Sequence, residues 1–380
     1  MYEAGFFLMK IVRKNNLLDI PKRGKPSLIL YKMRCKLSSF FYGLPKIPSE
    51  IMLEVTSRCN LNCQFCFNKL LYPAQGRKSQ ELSTVNIKKI IAKIKKSKVP
   101  IVRFTGGEPL LRDDIFELMD YAHQEGLKVW LNTNATLITR PIARKIAKHV
   151  DNILISLNAH TCVSERYLTG SDTFKSKLKG IILLKESKVK HLRCGTVATK
   201  ANIINLEKIY DLVKKLEISD WELFRVIPLS DKNIAIDNND IALLVEKMLR
   251  INKIANKNYK IANAIPFCAF DPQRVSKIAL GAVADDGHIR FVINSTGDAR
   301  PMYYLNEHIG NIFEDDILMM WNNKFMKKIR ALRYVPDECR GCKYMNTCKG
   351  GSRVASKIIG GDYRALDYLA QPHKYKAHQK

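Results

Sequence analysis

Three cysteines in one short segment are the residues of this 380-residue sequence that most directly indicate chemistry. Cys59, Cys63 and Cys66 are separated by three and then by two residues, so one tight loop can present each thiolate to one iron of a cubane [4Fe–4S] cluster. Ferredoxin segments carry a fourth cysteine, and zinc sites commonly close with four protein ligands. No cysteine or histidine follows nearby, so the spacing predicts a cluster with one iron open to a further ligand. A structural zinc loop is the alternative.

A second set of cysteines lies towards the C-terminal end. Cys339, Cys342 and Cys348 have the spacing C-x2-C-x5-C and are followed by a pair of glycines. With Cys268 upstream, they supply the four thiolates that close a second, auxiliary [4Fe–4S] cluster. A zinc knuckle is the alternative for this set. The remaining cysteines stand alone: Cys35, Cys162 and Cys194.

Strands that alternate with helices must position these cysteines. Six short segments, apolar or β-branched and bounded by turn residues, predict strands: Ile51–Val55, Ile101–Thr105, Lys128–Asn132, Asn152–Ser156, Leu192–Ala198 and Asp220–Val226. Helical periodicity lies between them, which predicts an α/β fold of parallel strands with helical crossovers. Ligands bind at the carboxyl ends of strands in such folds. The first cysteine loop directly follows the first of these strands.

The loop after the second strand reads Thr105-Gly106-Gly107-Glu108-Pro109. Together with the cysteine loop, it resembles the radical S-adenosylmethionine (SAM) superfamily over residues 50 to about 226. The resemblance implies a partial (β/α)6 barrel in which the amino and carboxylate groups of SAM bind the open iron. It also implies that an electron from the reduced cluster cleaves SAM. The resulting 5′-deoxyadenosyl radical then takes a hydrogen atom from a substrate.

The same resemblance implies roles for individual residues near the cluster. Cys59, Cys63 and Cys66 are its ligands, and an arginine for the methionine carboxylate is expected near Arg166. Gly106 and Gly107 let the backbone approach the amino group of SAM, and Glu108 hydrogen-bonds to that group. Phe65 packs near the adenine. The expected SAM-binding residues are Phe65, Gly106, Gly107, Glu108, Pro109, Asn134 and Ser156, of which the last two contact the ribose or the carboxylate.

The C-terminal part resembles the SPASM extension, an auxiliary-cluster domain of peptide-modifying radical SAM enzymes, over residues 268 to 356. Met302 and Ser352 stand where many members of that family carry further cysteines, so we expect one auxiliary cluster rather than two. This reduced pattern, with Gly350-Gly351-Ser352-Arg353, also resembles the radical SAM enzymes of alternative haem and haem d1 synthesis.

Four parts of the chain are predicted. They are a basic N-terminal segment (1–48), a radical SAM core domain (49–230), a linker helix (231–262) and a small loop-rich iron–sulfur SPASM-like domain (263–380). In the last part, Asp285-Asp286-Gly287 predicts a hairpin between Ile278–Val283 and His288–Ile293. A second turn is predicted at 295–298.

The net charge of +28 comes from 64 basic and 36 acidic residues. It fits solvated lysine-rich helix faces better than nucleic-acid binding, because the sequence has no arginine-rich or aromatic-interleaved RNA-binding motif. No apolar run approaches the roughly 20 residues of a membrane span. Clustered cysteines fit a compartment in which thiols stay reduced. We therefore expect a cytoplasmic protein with no membrane partner.

The predicted activity is reductive cleavage of SAM followed by modification of a peptide or protein substrate, with ferredoxin or flavodoxin as electron donor. Dehydrogenation, cross-linking, epimerisation and decarboxylation all remain open. A tetrapyrrole or RNA is the alternative substrate, and a zinc-containing RNA-binding protein is the non-enzymatic alternative. Cys162, six residues after Ser156, is the candidate hydrogen-atom donor if the product is an epimer.

Overall fold

The computed structural model describes residues 46–71, 81–227, 233–284, 287–305 and 307–378. Most of the predicted basic segment, and with it Cys35, lies outside the described residues, as does the predicted boundary at residues 230 and 231. No helix in the described part of the chain is long and apolar enough to cross a membrane.

Six parallel strands form the centre of one sheet, and each pairs with its neighbour in the sequence. All six predicted strands are present, and no end differs from its prediction by more than one residue. The strands are β1 (Glu50–Thr56), β2 (Ile101–Gly106), β3 (Lys128–Thr133), β4 (Asn152–Ser156), β5 (Leu192–Ala198) and β6 (Asp220–Arg225).

Helices follow the strands and cover the outer face of the sheet. The longer ones are amphipathic, and Ile87, Ile90, Ile91 and Ile94 form the buried face of α2. The helices as far as the predicted linker are α1 (Asn68–Leu71), α2 (Thr84–Lys96), α3 (Ile115–Gln124), α4 (Arg140–His149), α5 (Cys162–Thr169), α6 (Phe174–Glu186), α7 (Lys200–Ile203), α8 (Leu206–Lys215) and α9 (Asn238–Ala255). They are followed by α10 (Pro272–Ile278), α11 (Ile317–Trp321), α12 (Lys324–Arg330), α13 (Met345–Cys348) and α14 (Arg353–Gly360).

The sheet continues past the predicted boundary at residue 263. Strand β7 (Lys260–Ile261) pairs with β6, and β8 (Arg290–Ile293) pairs in parallel with β1. Strands β9 (Asp298–Arg300) and β10 (Gly310–Asn311) add two antiparallel pairings. The order is β10-β9-β8-β1-β2-β3-β4-β5-β6-β7, so the barrel is partial and the first cysteine loop follows a central strand.

The hairpin predicted around residues 285–287 is wrong. Helix α10 ends at Ile278, and Gly281–Ala284 form a short 3₁₀ turn rather than a strand. Asp285 and Asp286 themselves lie outside the described residues. The hairpin is formed instead by β8 and β9, at the second predicted turn, where Gly297 has a positive φ of 95°. The glycine at residue 287 was therefore a weaker indicator of the hairpin than the one at residue 297.

The two faces of the central strands are chemically different. Ile51, Leu53 and Val55 of β1 join the apolar core beneath the helices, whereas Glu50 and Glu54 alternate with them and are also buried. Because strand side chains alternate, the two glutamates lie on the inner face. That inner face therefore carries charges that need partners.

Arginines pair with these glutamates on the inner face. Glu50 accepts hydrogen bonds from Arg103 Nη2 at 2.7 Å and Arg290 Nη1 at 2.5 Å, which hold its pKa at about 2 although burial opposes ionisation. Glu54 pairs with Arg300 of β9. Arg103 also stacks 4.5 Å from the Trp130 ring. The buried charges on the inner face are thus paired, which offsets the cost of removing them from water.

Candidate active site

The first cysteine loop connects β1 to α1 and is held at its centre by a neighbouring helix. Asn62 N donates to Thr169 O at 3.1 Å, and Gln64 N donates to Leu168 O at 2.8 Å, so the loop runs along the end of α5. The thiols of Cys59, Cys63 and Cys66 are half-buried and are not in disulfides. The loop is therefore fixed by backbone contacts to α5.

The two glycines after β2 allow one loop backbone to lie directly on another. Gly107 N donates to Thr56 O, and Glu108 N donates to Arg58 O, each at 2.8 Å. A Cβ atom on Gly106 would lie 2.2 Å from Thr56 O, and one on Gly107 would lie 2.0 Å from the Arg58 carbonyl oxygen. Gly106 also has a φ of 138°. Both positions require glycine because of this contact with the chain entering the cysteine loop.

Glu108 binds three neighbouring groups of the protein. Its Oε1 accepts from Thr133 Oγ1 at 2.7 Å and from Leu110 N at 3.1 Å, and its Oε2 accepts from Asn134 N at 2.8 Å. The side chain is completely buried, and burial raises its pKa against these hydrogen bonds. Pro109 is also buried, at the start of a 3₁₀ turn. Glu108 therefore joins the loops after β2 and β3, and its contact with the amino group of SAM stays a prediction.

Asn134 lies over the first cysteine. Its Nδ2 donates to Asn60 Oδ1 at 2.9 Å and is 4.0 Å from Cys59 Sγ, while its Oδ1 accepts from Thr136. The loop after β3 is thus bonded to the cysteine loop through side chains. The predicted contact of Asn134 with SAM is separate from these bonds and remains a prediction.

Three further predicted residues occupy different surroundings. Ser156 ends β4 and is half-buried, and Phe65 packs against the apolar core. Arg166 is 65% exposed and pairs with Asp172 at 2.6 Å on the outer side of α5. Arg166 therefore forms an ion pair at the surface, whereas the resemblance implied that an arginine here binds the carboxylate of SAM.

Electrostatics favour a cationic group between the three thiols. Burial raises the pKa of Cys63 to about 12, with a further contribution from Cys66 and a smaller one from Cys59. Three thiolates this close repel one another unless positive irons bind them. Within the described residues, no three Cys, His, Asp or Glu side chains are placed to share a single metal ion. The cysteine spacing, with each thiolate on its own iron, remains the basis of the predicted cubane.

The four C-terminal cysteines line one cavity. Cys268 and Cys339 lie in short 3₁₀ helices, Cys342 lies in the following loop, and Cys348 ends α13, where Phe267 N donates to its Sγ at 3.3 Å. Burial raises the pKa of Cys268 and of Cys339 to about 12, and each also senses neighbouring thiols. The rest of the lining is mainly apolar and includes Phe267, Pro272, Tyr344, Met345 and Pro372. This donor set fits a closed [4Fe–4S] cluster with all four irons bound by the protein.

The two positions that lack cysteines are used structurally. Met302 is 3% exposed and packs in an apolar cluster with Ile227, Ile329 and Val354. Ser352 is the N-cap of α14, where its Oγ accepts from Ala355 N at 3.2 Å. Both side chains have packing or capping functions, which is consistent with a single auxiliary site.

The isolated cysteines differ in burial. Cys162 begins α5 and packs, partly buried, against the core. Cys194 is completely buried between strand and helices, and burial raises its pKa strongly. It therefore points outward from the barrel into the apolar core.

The structure contains a buried ion pair near the first cysteine loop that the sequence did not predict. Lys177 Nζ of α6 lies 2.5 Å from Glu165 Oε1 of α5, and both side chains are almost wholly buried. The Lys177 charge acts on Cys63 and on Glu108. A lysine or a glutamate in an amphipathic helix usually faces solvent, so no sequence signal distinguished this pair from surface charges.

Tyr303 also escaped the sequence analysis. Its hydroxyl lies 2.5 Å from Thr105 Oγ1, and its ring centroid lies 4.4 Å from that of Phe67, directly after the third cysteine. Only the addition of β8 and β9 to the sheet brings this tyrosine to the end of β2.

Two protein-family models match the sequence of this chain. The radical SAM superfamily model covers residues 53–216, and the model of the SPASM iron-sulfur cluster-binding domain covers residues 285–343. The protein is a radical SAM superfamily enzyme with a C-terminal SPASM domain. The predicted fold class and enzyme class are therefore confirmed, the latter against the zinc-containing RNA-binding alternative.

Individual relatives match most of the chain. The AdoMet-dependent heme synthase of Methanosarcina barkeri is 27% identical over 340 residues, which cover 84% of this chain and 95% of that protein. The PqqA peptide cyclase of Bradyrhizobium diazoefficiens is 25% identical over 332 residues, 84% of this chain and 85% of that protein. The structure of Streptococcus suis SuiB bound to precursor peptide SuiA has a TM-score of 0.72 at 20% identity, covering 97% of this chain and 89% of that one. This last likeness shows a shared fold.

The two domains define the cofactors. A radical SAM domain carries a [4Fe–4S] cluster that binds SAM, and a SPASM domain carries auxiliary iron–sulfur clusters, so the predicted cofactors are confirmed. Both thiol sets described above fit these groups by their donor chemistry and number.

Proposed function

We propose that Cys59, Cys63 and Cys66 hold the SAM-binding cluster, and that the C-terminal set holds one auxiliary cluster: Cys268, Cys339, Cys342 and Cys348. The three-thiol site leaves one iron for SAM, and the four-thiol site leaves none. Such a cluster, when bound and reduced, would supply the electron for the cleavage of SAM. The protein contributes a fixed loop, bonded to α5 and to the loop after β3, that presents the three thiols.

Gly106, Gly107 and Asn134 remain in the proposal as groups that border SAM. The glycines keep the β2 loop against the chain that enters the cysteine loop, and their backbone is proposed to border a ligand on the open iron. Phe65 and Ser156 stay proposed contacts of the adenosine part. Glu108 stays a proposed hydrogen-bond partner of the SAM amino group, and it also fixes the positions of Thr133 and Asn134.

For the substrate we propose a tetrapyrrole, from a side chain of which the 5′-deoxyadenosyl radical takes a hydrogen atom. The single observation that carries this choice is the reduced auxiliary site. Met302 and Ser352 have structural roles at the positions where further cysteines would stand, and this pattern resembles haem-forming radical SAM enzymes. The similarity to a heme synthase over 84% of the chain supports the same substrate class.

An anaerobic assay with iron porphyrins tests this proposal. The protein is reconstituted with iron and sulfide, reduced, and given SAM together with porphyrins that carry carboxylate side chains. We expect a mass change in one porphyrin, with 5′-deoxyadenosine formed in proportion. A matched sample with Cys63→Ala should give neither product. If no porphyrin changes while SAM is still cleaved, the tetrapyrrole proposal fails.

A peptide or protein side chain is the second candidate substrate. It is favoured by the SPASM domain and by the similarity to a peptide cyclase over 84% of the chain. The test is the same assay with a short peptide encoded beside the gene for this protein. A modified peptide together with unchanged porphyrins would select this candidate.

Ferredoxin or flavodoxin is the proposed electron donor, and the reduced cytoplasm is the proposed compartment, because the thiols must stay free for iron. Both donors are expected to replace dithionite in the SAM-cleavage assay. An enzyme that dithionite reduces but neither protein reduces would require another physiological donor.

A further inference from the structure

Asn68 lies two residues after the third cysteine and is 7% exposed. Its Nδ2 donates to Gly106 O at 3.2 Å, which links the end of the cysteine loop to the glycine pair after β2. A carbonyl oxygen can only accept, so the amide nitrogen must face Gly106 and the side-chain oxygen must face the other way.

That side-chain oxygen is left without a partner. Asn68 Oδ1 is buried, and among the described residues no donor reaches it. Buried polar atoms nearly always have partners, because an unsatisfied one carries its full desolvation cost. A buried acceptor to which no described protein group donates therefore indicates that a bound ligand supplies the donor.

Contacts of the neighbouring residues fix the backbone on both sides of Asn68. The preceding residue, Phe67, packs between Tyr303 and Tyr304, with ring centroids 4.4 and 4.9 Å away. Lys69 N donates to Cys66 O at 3.2 Å and so fixes the backbone on the other side. The carboxamide of Asn68 is thus anchored at Gly106 O, on the backbone proposed to border the amino group of SAM.

We propose that Asn68 is a further SAM-binding residue, whose Oδ1 accepts a hydrogen bond from the methionine amino group. The amide nitrogen positions the side chain on Gly106, and the oxygen supplies the recognition. An amino group offers N–H donors and suits an acceptor of this kind. Asn68 thereby favours a ligand that presents an amine beside the cysteine loop.

Two substitutions separate the oxygen from the nitrogen. Asn68→Ala removes both, and Asn68→Asp keeps an acceptor but loses the donor to Gly106. The readout is the dissociation constant of radiolabelled SAM, measured by equilibrium dialysis on cluster-loaded protein without reductant, so no turnover is needed. We expect about tenfold or greater weakening in Asn68→Ala, as for loss of a hydrogen bond to a charged or polarised group. We expect Asn68→Asp to lose less affinity than Asn68→Ala, because it keeps the acceptor although its second oxygen faces Gly106 O, to which the amide donated.

Asn62→Ala is the matched control, since this asparagine is exposed on the same loop. It should bind SAM as the wild type does, and iron content should be equal in all variants. If Asn68→Ala loses its cluster, Asn68→Asp alone carries the comparison. Wild-type affinity in Asn68→Ala, or a loss in Asn68→Asp as large as that in Asn68→Ala, would overturn the proposal and leave Asn68 as a link between two loops.

A SAM analogue without the amino group gives an independent test. The wild type should prefer SAM over this analogue by a larger factor than Asn68→Ala does. The substitution removes the acceptor of the proposed hydrogen bond, and the analogue removes its donor. Equal preference in the two proteins would contradict the assigned contact.

Discussion

The two cysteine sites differ in the groups that surround their thiols. Around the first loop the contacts are polar and come from neighbouring strand-end loops, as between Asn134 and Asn60. Around the C-terminal set the lining is apolar, and Cys348 is only 8% exposed. Cys268, Cys339 and Cys342 are half-buried, as the three thiols of the first loop are, so the two sites differ in the polarity of their surroundings and in the number of thiols rather than in exposure. We expect the three-thiol set to suit a ligand on an open iron, and the four-thiol set to close its cluster with protein ligands alone.

We expect the largest effect from removal of the first cysteine site alone. Replacing Cys59, Cys63 and Cys66 together with alanine should abolish 5′-deoxyadenosine formation with dithionite, because no thiolate remains to hold the SAM-binding cluster. About four irons per chain should survive at the auxiliary site. Product analysis by chromatography and an iron assay check both parts. SAM cleavage at the wild-type rate would disprove the division of roles.

The converse change removes the second site. Anaerobically purified wild type should hold about eight irons per chain, four in each cubane, and replacing Cys339 and Cys342 should lower this to about four. SAM binding should persist in that variant, because the first loop is untouched. Iron near four accompanied by zinc in the wild type would mean a zinc knuckle. Iron near twelve would mean that a further cluster exists despite Met302 and Ser352.

The carboxylates that support the two sites should differ in effect on stability. Asp367 is completely buried, pairs with Arg225 at 2.5 Å and accepts from Ser352 N at 2.8 Å, next to the auxiliary glycines. Asp367→Asn removes the carboxylate charge that faces the buried Arg225 and should lower the free energy of unfolding by about 3–5 kcal/mol. Denaturant unfolding of the holoprotein measures this. A loss below about 1 kcal/mol would show that the pair is not isolated from water.

Glu108→Gln is the corresponding change near the first site, with a smaller expected effect. It replaces an oxygen that accepts from Thr133 Oγ1 or Asn134 N by a donor, so about 1–3 kcal/mol of stability should be lost. SAM affinity should also fall, because the proposed charge-assisted hydrogen bond from the amino group of SAM to this carboxylate is lost. Unchanged SAM affinity would remove Glu108 from the proposed SAM site.

The smallest expected effect belongs to Arg166. It is exposed and paired with Asp172, and surface pairs contribute about 0–1 kcal/mol. Arg166→Ala should therefore leave SAM affinity and cluster content unchanged within error. A large loss of SAM binding would mean that this arginine turns inward when SAM is present.

Short-range patterns in the sequence were sufficient for the central strands. The strands of the core were predictable because each is an apolar or β-branched run between turn residues, and β4 and β5 match their predicted bounds. Spacing along the chain grouped the cysteines within each loop, whereas Cys268 is distant in the sequence and only the structure brings it into the cavity of Cys339, Cys342 and Cys348.

The remaining features depend on contacts between distant residues. Strands β7 to β10 are two to four residues long, too short for a periodic signal, and β8 pairs with β1 across more than two hundred residues. Asn68, Glu165 and Lys177 are polar residues in helices, and only the packing of neighbouring elements buries them. The sequence pattern predicts that such residues are exposed, so their place near the first cysteine loop required the structure.

One spectroscopic measurement tests the central claim most directly. Anaerobic protein with both clusters is reduced with dithionite, and its electron paramagnetic resonance spectrum is recorded before and after SAM is added. The account predicts that one of the two reduced cluster signals changes with SAM and that the other does not, because only the three-thiol site has an open iron. In the triple variant of Cys59, Cys63 and Cys66, the remaining signal should not respond to SAM. A response in that variant, or none in the wild type, would contradict the assignment of the open site to this loop.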